Sequence, residues 1–79
     1  MNKARRKELE SIMDALAEVR ERIQSVMDDE QEAFDNMPES LQYSERGEQM
    51  ERNVDDLQTA MDDVDSVHDN IQDILDDNE

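Results

Sequence analysis

The chain has 79 residues, of which 34% are hydrophobic and 41% charged, and its formal net charge is −16. So short a chain makes one small domain at most and buries a thin core by itself. The absence of cysteine excludes a disulfide frame and a Cys-based zinc site, and the acidity disfavours nucleic acid and anionic membranes as ligands while favouring proteins with a basic surface.

The chain opens with Lys3, Arg5, Arg6 and Lys7, four of its eight basic residues. A nucleic-acid arm is a poor reading of four cations beside so much acid. If the two halves fold back on each other, these residues come to lie beside Asp69, Asp73, Asp76 and Asp77 and the negative end of the second helix dipole. From Leu9 the apolar residues take 3-4 spacing. Leu9, Ile12, Leu16, Val19, Ile23 and Val26 fill positions a and d of a heptad, and Met13 and Met27 widen the stripe at e. Continuing the count puts Glu30 at a, Ala33 at d, Phe34 at e and Met37 at a, so only Glu30 interrupts the seam. A helix is expected from about residue 3 to about residue 35.

The middle of the chain is the only irregular segment. Pro38 cannot continue the first helix and pushes Met37 out of helical geometry. Ser44 is a natural N-cap for a second helix, with Glu45 in its first turn. Gly47 costs ~1 kcal/mol against Ala in a helix interior, which predicts a late or frayed start. The link is placed at about residues 36–44 and the second helix at about 45–77. Phe34, Met37, Leu41 and Tyr43 flank the link. They either close the turn as a small apolar cap or form a partner-binding tip.

The segment Glu30-Gln-Glu-Ala-Phe34-Asp-Asn-Met-Pro38-Glu-Ser-Leu-Gln-Tyr-Ser44-Glu-Arg-Gly47-Glu-Gln-Met50-Glu resembles the hallmark of a widespread family of small acidic helical proteins of Gram-positive bacteria and their phages. The motif at the link is the specific part, and the flanking helices are generic coiled coil. The resemblance implies a genomic setting, often a mobile element, and no activity or catalytic residue.

The second half repeats in sevens from Val54. Val54, Met61, His68 and Leu75 stand at a, Leu57, Val64 and Ile71 at d, and Ala60, Val67 and Ile74 at g. Asp or Asn occupies every b and c. This is a coiled-coil pattern, and its stripe is wider than one neighbour covers. The fold expected is therefore all-α, an antiparallel two-helix coiled-coil hairpin that dimerises into a four-helix bundle.

Chemistry is sparse. There is no Gly-rich phosphate loop, and the single histidine, His68, lies in the seam, where it tunes register or pH response. Asp65, His68 and Asp69 would make only a weak, exposed metal site. Asp62, Asp63 and Asp65 lack the central Gly and terminal Glu of a calcium loop. No cofactor, metal or catalytic set is expected, and the chain reads as a non-enzymatic binding protein. No apolar run reaches the ~20 residues of a membrane span, and the start lacks a signal-peptide core, so a cytoplasmic location is expected.

One feature of the second helix exceeds what solubility requires. Residues 53–79 contain ten acids and no Lys or Arg, and nine of the ten are Asp: Asp55, Asp56, Asp62, Asp63, Asp65, Asp69, Asp73, Asp76 and Asp77. Asp is a poorer helix former than Glu. At 1.5 Å per residue these residues span ~40 Å, one charge per ~4 Å, close to the ~3.4 Å phosphate spacing of a DNA strand. Two readings follow. The acidic face occupies a basic, DNA-binding groove of a host protein as a phage or mobile-element inhibitor, or it only solvates an adaptor coiled coil that binds through its apolar stripe or its tip.

Overall fold

The computed structural model describes residues 1–79 and is all-helical, without strands. Helix α1 runs Lys3–Asp35, a single turn α2 runs Glu39–Gln42, and α3 runs Glu45–Asp77. Asn2 caps α1, its side chain accepting from the Arg5 N–H at 2.8 Å. Ser44 caps α3 by accepting from the Gly47 N–H at 3.3 Å, so each of the two long helices begins at a side chain that satisfies one of its orphan donors.

The two long helices lie side by side in opposite directions. Arg6 of α1 reaches Leu75 and Asn78, Arg20 meets Asp65, and Glu30 meets Asn53. The result is a rod 59 × 15 × 12 Å with a radius of gyration of 17.8 Å, where a compact chain of this length would have about 12 Å. Only three hydrophobic side chains are buried, Met13, Met61 and Leu75.

Along α3 the a and d positions of the heptads, Met50, Val54, Leu57, Met61, Val64, His68, Ile71 and Leu75, are buried or half-buried, with Asn53, Ala60 and Asp65 half-buried beside them. Along α1 the seam is displaced from the sequence reading. Its inward residues include Leu9, Met13, Leu16, Arg20, Ile23, Met27, Glu30 and Phe34, with Met37 half-buried just past its end, whereas Ile12, Val19, Val26 and Ala33 are exposed. The stripe on α1 was broad enough to be phased in two ways, and the phase adopted turns Met13, Met27 and Phe34 inward together with two polar pairs. Arg20 lies inward because its Nε donates to Asp65 Oδ1 at 2.8 Å while its stem covers apolar surface. Glu30 lies inward because its Oε2 accepts from Asn53 Nδ2 at 2.9 Å.

The displacement gives the rod two unlike broad sides. On one, Val19, Ile23 and Val26 of α1 line an open groove with Leu57 of α3. The row Ile12, Val19, Val26 and the row Ala60, Val67, Ile74 run along it by heptad position. On the other side Glu10, Asp14, Ala17 and Arg20 face Asp65, His68, Gln72 and Asp76.

The link is less irregular than its composition suggests. Pro38 starts the α2 turn, its carbonyl accepting from the Leu41 and Gln42 N–H groups at 2.8 and 3.2 Å. Glu39 lies in the first turn, where helix N-termini favour an acid. The expectation of a late start for α3 also fails, since Gly47 lies in its first turn and is buried. A Cβ there would lie inside contact distance of the Gln42 carbonyl oxygen, 2.6 Å from its carbon and 2.8 Å from the Gln42 Cα. Gly47 is required by a close backbone approach.

Candidate interaction surfaces

The acidic face is carried by α3. Eight of its nine aspartates (Asp55, Asp56, Asp62, Asp63, Asp69, Asp73, Asp76 and Asp77) are exposed, and none of them is paired with a Lys or Arg. Asp65 departs from the set. It is half-buried and held by Arg20, with the two side chains 45% and 40% exposed, so it belongs to the seam. The b row, Asp55, Asp62, Asp69 and Asp76, borders the polar broad side, where Asp76 lines a recess with Glu10 and Asp14. The c row, Asp56, Asp63 and Asp77, forms by heptad position the outer rim of the apolar side.

Local hydrogen bonds offset the helix cost of Asp at two of these positions. Gln58 Nε2 donates to Asp62 at 3.1 Å and Gln72 Nε2 to Asp76 at 2.9 Å. Gln24 with Asp28 and Gln31 with Asp35 repeat the device on α1 at 2.8 and 3.0 Å. These i,i+4 amide–carboxylate pairs each contribute ~0.2–0.5 kcal/mol to the helix.

The basic N-terminus does not pair with Asp69, Asp73, Asp76 or Asp77 as expected from the sequence. Arg6 Nη1 instead donates to the carbonyls of Leu75 and Asn78 at 3.3 and 2.6 Å, and the terminal ammonium donates to Asn78 Oδ1 at 3.3 Å. The last carbonyls of a helix have no intrahelical partner and carry partial negative charge. Arg6 thus sits at the negative end of the α3 dipole.

At the tip the apolar cap is only half formed. Phe34 and Met37 are half-buried, but Leu41 is 49% and Tyr43 77% exposed. The turn is held by polar groups instead. Gln42 Nε2 donates to the carbonyls of Phe34 and Met37 at 3.1 and 3.3 Å, closing the C-terminus of α1. The Ser44 hydroxyl donates to the Leu41 carbonyl while capping α3. Sequence reasoning missed Gln42, because a glutamine before an N-cap carries no signal until the α1 carbonyls are placed beside it. Leu41 and Tyr43 have no comparable structural task.

His68 lies half-buried in the seam, its Nδ1 3.8 Å from Asp69 Oδ1, among Leu16, Ala17, Arg20, Val64 and Asp65. No three His, Asp or Glu side chains converge into a metal-binding group. No helix is long and apolar enough to cross a membrane. Comparison of the chain with protein-family models, with curated proteins and with solved structures finds no match.

Proposed function

We propose that this chain is a non-enzymatic binding protein of the cytoplasm, an antiparallel coiled-coil hairpin that pairs with a second copy into a four-helix bundle. Its acidic α3 face occupies a basic, DNA-binding groove of a host protein in the manner of a DNA mimic. One observation carries the reading of the face. Eight aspartates stand outward on one helix with no Lys or Arg partner, while Arg20 pairs with Asp65 and Arg6 with backbone carbonyls. Like charges held 1.5 Å apart per residue along a helix repel one another, and a basic groove relieves that repulsion on binding. The motif from Glu30 to Glu51 supports a phage or mobile-element setting and an inhibitor's role.

A second reading has its own support. Leu41 and Tyr43 are exposed on a turn whose backbone is fixed by Gln42, Ser44 and Gly47. A rigid turn presenting an aromatic side chain is a good anchor for an adaptor.

Competition separates the two. A host protein retained on the immobilised chain at ~50 mM NaCl is challenged with short duplex DNA, low salt being where exposed charges act most strongly. The mimic reading expects DNA to release it. A host protein that holds duplex and this chain at the same time rules out occupation of the groove and leaves the tip.

A further inference from the structure

We infer that a second copy of this chain covers the apolar side in a parallel two-fold arrangement, with α1 of each copy lying along α3 of the other and both tips at one end. The arrangement rests on the homodimer proposed above and fixes its direction.

Area supports the occupant. A compact monomer of 9.3 kDa exposes about 5,000 Å², and this rod exposes 5845 Å². The surplus of roughly 850 Å² matches the ~800 Å² per partner that a stable interface of ordinary size buries. The side that would be covered is continuous, from Ile12 through Val26 on α1 and from Ala60 through Ile74 on α3. With only three hydrophobic side chains buried in one copy, these rows are the apolar material left for a second core layer.

Charge supports the direction. Helix α1 carries six Lys or Arg against ten Asp or Glu, and α3 carries two against twelve. Two rods placed face to face either set α1 on α3 twice, or set α1 on α1 and α3 on α3. The second choice lays the most acidic helices together. The rims decide more locally. Arg20 is level with Asp65 and Glu30 with Asn53, so a two-fold axis along the rod brings Arg22 level with the partner's Asp63. Arg22 lines the apolar groove and Asp63 lies on the opposing rim. The other rim positions, Glu8, Asp29, Asp56 and Asp77, meet acid in either arrangement. Arg22 and Asp63 therefore distinguish the two, and they are paired only in the parallel one. The b row of aspartates is left free on both outer sides of the bundle.

The chain has no cysteine, so Tyr43→Cys carries a single spin label at an exposed position without hydrogen bonds. Sedimentation of the labelled protein is expected to give twice the 9.3 kDa chain mass. The distance between labels is expected to be of the order of the rod's 15 Å width, not its 59 Å length. A monomeric mass at micromolar concentration overturns the dimer and the arrangement together. A dimeric mass with labels about one rod length apart overturns the arrangement and keeps the dimer. Arg22→Asp is expected to raise the dissociation constant about 2- to 10-fold, the range of a pair of exposed ion pairs, and adding Asp63→Arg restores it. Failure of the swap to restore a dimer that Arg22→Asp has weakened also overturns the pairing.

Discussion

The tip and the shafts of this rod are specified by different physics. In the shafts, α1 and α3 meet along a seam of interchangeable apolar side chains, with Arg20–Asp65 and Glu30–Asn53 setting which residues stand opposite. A Val or Ile at most of these positions would serve as well. In the tip, individual atoms matter. Gln42 closes the carbonyls of Phe34 and Met37, Ser44 joins the α2 turn to the start of α3, and Gly47 lets the Gln42 backbone lie against α3. Hydrophobic burial tolerates substitution at constant volume and pattern, whereas a close backbone approach admits one residue.

Four substitutions test that division. Met61 is 1% exposed and at the centre of the seam, so Met61→Ala is expected to lose about 2–5 kcal/mol in urea unfolding. A loss no larger than that of an outward shaft residue would contradict the seam assigned here. Gly47→Ala follows and is a test of sign. In an ordinary helix the change gains ~1 kcal/mol, but here the new Cβ meets backbone that cannot rotate away. A loss of about 1–3 kcal/mol is expected, the usual range for overpacking, and a higher melting temperature would show that the approach is not close. Gln42→Ala removes the side-chain donor from the Phe34 and Met37 carbonyls and is expected to cost ~1 kcal/mol. Its effect should concentrate in faster hydrogen exchange at the tip, with the shaft amides unchanged. Arg20→Ala is the smallest. Its ion pair with Asp65 is nearly half exposed, and a double-mutant cycle should return under ~1 kcal/mol. A coupling of several kcal/mol would mean that the pair stabilises the fold as well as its register.

Much of the shafts was legible in the amino-acid sequence. The heptads from Val54 name the a and d residues that α3 turns inward, and Ser44 caps α3 as its chemistry suggests, whereas the Asn2 cap of α1 was not read from the sequence. The phase of α1 was not legible, because apolarity ranks Val19 above Arg20 while the fold turns Arg20 inward. The partner it meets there, Asp65, is forty-five residues away, and a pattern read along one helix does not contain it. The basic N-terminus was placed correctly beside the end of α3 and given the wrong acceptors, since a sequence displays carboxylates and hides unsatisfied carbonyls. Of the candidate surfaces, the acidic face could be written down residue by residue except for Asp65. The half-open tip could not, because the exposure of Tyr43 depends on the α2 turn.

The acidic face is the central claim, and charge removal at constant shape tests it most directly. Asp55, Asp62 and Asp69 lie on one ridge of α3, exposed and without Lys or Arg partners. Replacing the three by Asn leaves the apolar side and the tip intact. The variant and wild type are immobilised in parallel with a Phe34→Ala, Tyr43→Ala control, and host-lysate proteins are eluted along an NaCl gradient. The proteins held by wild type are expected to elute by ~300 mM NaCl as exposed charges are screened, to be lost from the Asn variant, and to remain on the tip variant. Retention by the Asn variant together with loss from the tip variant would contradict the account and assign binding to the turn.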